Sequence, residues 1–398
     1  MGSRSIGRSL FSAAALIILS SVQVNGQVTF PLKTPIRPTA FPLKRPTDVG
    51  IPLVWGDASS GQIAIPPSAI NIVQVVVGGG RVVALKKDGT LIGWGAAPAP
   101  DRWVNLVQVS MGPFGGLCAI TTFGDVLCEG TQYSGEHEVS KPGNLNNVVQ
   151  IDVGYATTAA LRSDGTVVVW GRNEFGECDV PSRLGNVVQV AAANGATAAL
   201  RSDGTVVAWG YNGHDRITTA SSIENAVSIA ADGGHFIVLK NDGSVIAWGQ
   251  NDVGQTSVPP ELLHVIKIAA GYDEGVALNA NGVVSVWGYG FHGQKNIPYS
   301  IYRAIQIDAG YGNVAALIAQ PVTNVAAGSK VRRNVRRNPR ATRRGSGNYC
   351  VCAAGRFVSP LNIKVSISSS RCLRGVASPR RTSPCLRPQA FGRCQYFW

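Results

Sequence analysis

The stretch LRSDGTVVVWG, residues Leu161–Gly171, returns almost unchanged as LRSDGTVVAWG, residues Leu200–Gly210. The offset is 39 residues, and the Trp-Gly pair that ends each copy marks a period along the chain. The pair stands at Trp55-Gly56, Trp94-Gly95, Trp170-Gly171, Trp209-Gly210, Trp248-Gly249 and Trp287-Gly288. One interval is doubled, and within it TTFGDVLCEG places Glu129-Gly130 in register as a copy that has lost its tryptophan. Seven copies of about 39 residues identify a repeat architecture.

Within one copy, VVQIDV alternates in the manner of a strand, GYAT is a turn, TAALRS is a second strand and TVVVW is a third, rich in β-branched residues. Between the second and third strands sits Asp164-Gly165, repeated as Asp88-Gly89, Asp203-Gly204, Asp242-Gly243 and Asn281-Gly282. These pairs predict two-residue hairpin turns. The segment CDVP predicts a short fourth strand ended by its proline. Four-stranded antiparallel units of this length are propeller blades.

The last copy, AIQIDAGYGNVAALIAQ, stops at Gln320 after two strands, and GIPLVWG at residues 50–56 precedes any complete copy. The N-terminal strand is therefore expected to complete the last blade, giving an all-β, seven-bladed β-propeller over residues 49–320 with no open seam. Trp55, Trp94, Trp170, Trp209, Trp248 and Trp287 are expected to pack between blades as structural residues.

The repeats ALRSDGTVVAWGYNG and VLKNDGSVIAWGQNDVGQTSVP resemble the regulator of chromosome condensation repeat. The 39-residue form is most similar to the branch containing the secreted β-lactamase inhibitor protein II. The resemblance covers about residues 50–320 and implies the propeller. On function it is nearly silent, because such repeats serve a nuclear guanine-nucleotide exchange factor, a secreted enzyme inhibitor and many other proteins.

Strand parity puts the turns after first strands and the loops after third strands on one face, and the Asp-Gly turns on the other. The first face varies between copies and carries large side chains. Its turns hold Arg81, Phe114, Tyr155, His235, Tyr272 and Tyr311, and its loops hold Tyr133, Phe175, Tyr211, His214, Phe291 and His292. Variable aromatic loops on a rigid scaffold predict a binding face for a protein partner. The alternatives are an exchange-factor-like regulator of a small GTPase with chromatin contact, and a carbohydrate-binding propeller that uses the same aromatic residues.

Nothing points to catalysis, a metal or a cofactor. The five histidines, His137, His214, His235, His264 and His292, have no metal-ligand spacing, and no phosphate-binding loop or nucleophile elbow is present. Asp273-Glu274 reads as a solvated turn. Asp152 and Asp308, at equivalent places in first strands, would line the central channel. Cys118 and Cys128 flank the hairpin at Phe123-Gly124: a three-residue turn would let them bridge, and a two-residue turn would point them apart.

The remaining segments differ in texture. Residues 1–26 combine Arg4 and Arg8 with the apolar LFSAAALIILSSV and read as a secretory signal, placing the protein outside the cell. If that leader is retained by an intracellular protein, the nucleus or cytoplasm is the alternative. Residues 27–48 are proline-rich and read as an extended linker. Residues 321–398 form a basic, cysteine-containing tail, read as disordered or as the product of a mispredicted gene end. The chain carries a net charge of +13, yet residues 48–320 hold 14 Lys/Arg against 23 Asp/Glu, and the tail holds 16 Lys/Arg and no acid. Its basic run at 330–344 is suited to polyanions. No segment after the leader is long and apolar enough to span a membrane.

Overall fold

The computed structural model describes residues 32–38, 40–132, 137–138, 141–143 and 145–320. The signal segment 1–26, residues 27–31 and 39 of the proline-rich stretch, Tyr133, and the tail with its 330–344 run lie outside the described residues.

Seven three-stranded antiparallel blades are formed. Blade 1 is Ile72–Gly78, Arg81–Lys86 and Leu91–Gly95, and blade 2 is Leu106–Met111, Leu117–Thr121 and Val126–Glu129. Blade 3 is Val148–Val153, Thr157–Arg162 and Val167–Gly171, and blade 4 is Val187–Ala192, Ala196–Arg201 and Val206–Gly210. Blade 5 is Ala226–Asp232, His235–Lys240 and Val245–Gly249, and blade 6 is Val265–Ala270, Glu274–Asn279 and Val284–Gly288. Blade 7 joins the two ends of the repeat region: Ala304–Ala309 and Asn313–Ala319 pair with Gly50–Gly56. Its register runs from Gly50 opposite Ala319 to Gly56 opposite Asn313, so the N-terminal strand closes the ring as the interrupted last repeat predicts.

Two local expectations are corrected. CDVP is turn and coil, so each blade has three strands, and among the described connections only the one after blade 2 carries sheet pairing, Thr131–Gln132 with His137–Glu138. The hairpin turns contain three residues. Arg162 and Thr166 close the turn, and only Gly165 has a positive φ, at 92°. This is a type I turn followed by a left-handed glycine. The Asp164 side chain caps it by accepting from the N–H and hydroxyl of Thr166, at 2.8 and 2.7 Å. Those bonds hold the Asp164 carboxyl below the usual carboxylate range.

A second left-handed residue precedes every first strand: Asn71, Asn105, Asn147, Asn186, Asn225, His264 and Arg303. Asparagine tolerates this conformation better than most side chains. Its carbonyl accepts the first N–H of the hairpin loop, as in Ser163 N–H to Asn147 and Asn241 N–H to Asn225. The hairpin and the blade entry are thereby locked together on one face.

The tryptophans are buried as expected, and they do more than fill space. Trp94, Trp209, Trp248 and Trp287 each donate Nε1 to a backbone carbonyl 32 residues earlier, on Gln62, Glu177, Arg216 and Gln255 at 2.8–3.0 Å. Trp55 donates to Gln294 at 2.7 Å. Each indole thus fixes the loop that leaves the preceding blade. Blade 2, which lacks the tryptophan, uses an ion pair: Glu129 accepts from buried Arg81 of blade 1 at 2.8 Å. The same blade carries the Cys118–Cys128 disulfide, which the three-residue turn Thr122–Gly124 makes possible by setting the two residues directly opposite one another.

Candidate binding face

The first strands line the ring axis. Gln74, Gln108, Gln150, Gln189 and Gln306 occupy equivalent positions there. Gln150 shows the pattern: its Nε2 donates to the carbonyl of Val190 at 2.9 Å and its Oε1 accepts the Val190 N–H at 2.8 Å. The other four do the same to Val109, Ile151, Ile229 and Val75 of their neighbouring blades. This belt of amides stitches blade to blade; between blades 7 and 1 it is joined by pairing of Gly50 with Ile72. Ser228 and Lys267 stand at the two remaining positions, and Lys267 donates to Ile305.

Asp152 and Asp308 line the axial cavity, as their spacing predicts, and Asp232 joins them. Each already accepts a backbone N–H, from Ala192, Val77 and Gly233 respectively, at 2.7–2.8 Å. Burial pushes Asp152 up to about 6 and Asp308 up to about 8, and raises Asp232 well above the carboxylate range, with the neighbouring carboxylates adding to the effect on Asp232 and Asp308. Among the described residues no cluster of three or more His, Cys, Asp or Glu is placed to hold a metal ion.

One end of this cavity meets the aromatic face. The turns after the first strands and the loops after the third strands do share a face, since ring contacts join the two sets: His292 lies 6.4 Å from Tyr311. The turn residues do not stand apart as a ring of separate contacts. Phe114, Tyr155, Tyr272 and Tyr311, from four blades, converge with centroid separations of 4.9–6.2 Å. Each ring gains edge or stacking contact with its neighbours, and together they bury part of the apolar area that a lone turn tyrosine would leave in water.

Around this central cluster lie two further groups. Phe175 stacks at a tilt on Tyr211 at 4.8 Å, with Arg172 over the first ring and Arg216 over the second. Tyr289, Phe291 and His292 form a third group. Phe114, Phe175, Tyr211 and Tyr311 are 40–48% exposed and Phe291 is 82% exposed. His214 is exposed, and Tyr272 and His292 are half-buried.

Three candidate residues are corrected. Arg81 and His235 are buried and begin second strands, so their side chains run into the space between blades. Arg81 pairs with Glu129 and also donates to the carbonyl of Pro98. His235 is fully buried, and burial lowers its pKa to about 4, so it is neutral. Tyr155 is on the face but 8% exposed, at the base of the aromatic cluster. Glu274, read as part of a solvated turn, is likewise buried, and burial raises its carboxyl well above its ordinary value. Cys178 is a free thiol that donates to the Arg172 carbonyl, and burial raises it to about 11, which leaves it unreactive.

Comparison with known proteins gives a consistent result. The regulator of chromosome condensation (RCC1) repeat model matches residues 148–177, 187–216 and 226–255, which end at the loop residues Glu177, Arg216 and Gln255 that receive the indoles. An RCC1 repeat-containing protein of Dictyostelium discoideum is 26% identical over 149 residues, 33% of this chain. That match spans about a quarter of the relative's length, 25%. The fold is similar to Prp20p of Saccharomyces cerevisiae, whose structure was reported with its binding to Gsp1p and histones: TM-score 0.55, 19% identity, 70% of this chain and 93% of that one. The same yeast protein bound to Kap60 gives 0.57, 16%, 81% and 97%, and human WBSCR16 gives 0.52, 17%, 68% and 98%. Sequence periodicity, blade geometry and these likenesses agree: the chain carries RCC1 repeats within a propeller similar in fold to Prp20p.

Proposed function

We propose that this propeller is a secreted, non-enzymatic scaffold that binds another protein through its aromatic face. The observation that carries this reading is the grouping of five large aromatic side chains, Phe114, Phe175, Tyr211, Phe291 and Tyr311, each at least 40% exposed, three of them on loops held by buried indole hydrogen bonds. Exposed aromatics clustered on a fixed scaffold suit a protein interface, because their area is large and their side-chain entropy loss on binding is small. The inhibitor-like resemblance of the repeats fits a partner that is itself an enzyme. The Cys118–Cys128 disulfide supports an oxidising compartment. Mass spectrometry of the mature chain would then find Gln27 at the N-terminus, and Met1 would overturn secretion.

The experiment is affinity capture from culture medium with the intact protein and with the variant Phe175→Ala/Phe291→Ala. A partner retained by the first and lost by the second, with equal melting temperatures, supports the reading. Equal capture by both contradicts it. A second reading rests on the fold likeness to Prp20p, whose structure is associated with Gsp1p: regulation of a small GTPase. Accelerated nucleotide release from a small GTPase in the presence of the protein would favour it. Glycan-array binding abolished by the same double substitution would favour a carbohydrate ligand.

A further inference from the structure

The hairpin face, opposite the aromatic one, is partly covered by the chain itself. Residues 32–38 and 40–48, expected to be a linker, lie along it without strand or helix, with a bend at 40–42. Their contacts fall on equivalent positions of three blades. Leu32 N–H donates to the carbonyl of Asn241 in blade 5, Arg37 Nε to Ser163 in blade 3, and Leu43 N–H to Thr122 in blade 2. Each acceptor is the first residue of its hairpin loop. Its N–H is already bound to the left-handed residue before the first strand, which leaves its carbonyl free to face outward.

The side chains follow the same repeat. Arg37 also donates to Val187 at 2.9 Å, and Arg45 donates to Leu106 and to Asn105 Oδ1 at 3.2 and 3.1 Å. Val187 and Leu106 are the first residues of the first strands of blades 4 and 2. Both guanidinium groups sit where a Cβ on the hairpin glycine, Gly165 or Gly89, would be. Leu32 enters the core between blades 5 and 6, with Leu239 and Val265, and Leu43 enters the core between blades 2 and 3, with Ile120 and Val148. The sequence carries the pattern twice, as FPLK at 30–33 and at 41–44. Prolines 35, 38, 42 and 46 of the segment remove donors that would lack acceptors. Two of its basic residues lie near hairpin acids, Arg45 near Asp88 and Arg37 near Asp164.

A repeated face read by a repeated peptide is a recognition surface. At Gly204 and Gly282 the equivalent places are lined by the backbone of the next blade, Asn225 with Ala226 and Arg303 with Ala304, so the strap does not use every one. We propose that the hairpin face is a peptide-binding site, held in cis by residues 32–48. Once that strap is displaced, the face takes an extended, proline-interrupted basic peptide presenting leucine and arginine at the same spacing. Leucine fills a cleft between blades, and arginine satisfies two outward acceptors at once. This site is independent of the aromatic face.

Thr47 and Asp48 are exposed, so a specific protease site inserted between them allows the strap to be cut in the full chain. The probe is a fluorescein-labelled peptide with the sequence of residues 30–48, followed by anisotropy. It should bind the cut protein by exchanging with the strap and should leave the uncut protein unlabelled. The same peptide carrying Arg37→Ala should bind about tenfold more weakly, the scale of losing charge-assisted hydrogen bonds. If the insertion prevents folding, the uncut variant Arg37→Glu/Arg45→Glu should admit the labelled peptide instead. Three results would each overturn the proposal: no binding to cut protein whose near-ultraviolet circular dichroism is native, equal binding to cut and uncut protein, or indifference to Arg37→Ala.

Discussion

Trp55 donates its indole Nε1 to the carbonyl of Gln294, 239 residues further along the chain, at 2.7 Å. The bond reproduces across the joined ends of the ring what Trp209 makes to Glu177 within it. The closing blade is therefore chemically equivalent to the others. The indoles of Trp55, Trp94, Trp209, Trp248 and Trp287 tie five of the loops between blades in this way, including those that carry Phe175, Tyr211 and Phe291.

Trp209→Ala should lower stability by about 3–5 kcal/mol, the range for truncating a buried aromatic side chain. Trp209→Phe should cost less, since it keeps most of the packing and loses the bond to Glu177. Urea denaturation of the two variants measures this. A Trp209→Phe variant as stable as the original would mean that the hydrogen bond contributes nothing, and losses equal to those of Trp209→Ala would mean that the packing does not.

Arg303 occupies the left-handed position that asparagine fills in five other blades, with φ of 61°. Arg303→Asn should therefore raise stability by up to about 1 kcal/mol, by relieving backbone strain. Differential scanning calorimetry should show a higher melting temperature. A lower one would show that the arginine side chain has a role that its backbone conformation does not reveal.

The axial carboxylates set a pH dependence. Burial pushes Asp308 up to about 8, well above the ordinary carboxylate range, so the folded state holds its proton more tightly than the unfolded chain. That contribution is fully present below about 4 and is lost as pH rises through about 8. Neutral His235 acts with the opposite sign: its contribution is present above 6.5 and lost as pH falls towards about 4. Between pH 6.5 and 8 the Asp308 effect is therefore isolated from that of His235. Stability should fall across this interval, and Asp308→Asn should flatten the fall. Chemical denaturation at the two pH values decides it, and an unchanged slope in the variant would contradict the assignment.

The ring was legible because it is written as spacing. Trp-Gly and Asp-Gly recur at 39 residues, and a last copy cut short pointed to the strand at 50–56. What periodicity could not show was which side chains the spaces between blades would take. Arg81, His235 and Glu274 stand where Thr157 and Asn313 stand in other blades, and only the fold shows that this place is buried. Composition also concealed the strap, since proline-rich sequence without alternation reads the same whether it is free or docked. The one available cue was the FPLK repeat. The three-residue turn was obscured because Asp-Gly serves both turn types, and the closure of Arg162 on Thr166 distinguishes them. The convergence of Phe114, Tyr155, Tyr272 and Tyr311 depends on ring curvature, which no single repeat encodes.

The closure of the ring by its own N-terminal strand underlies both faces, and native-state hydrogen exchange tests it most directly. The amides of residues 50–56 that bond to the strand at 313–319 should exchange as slowly as those at the centres of blades 3 and 4, and should open only with the whole propeller. Exchange of residues 50–56 within the time of unstructured peptide, while the other blades stay protected, would contradict the account.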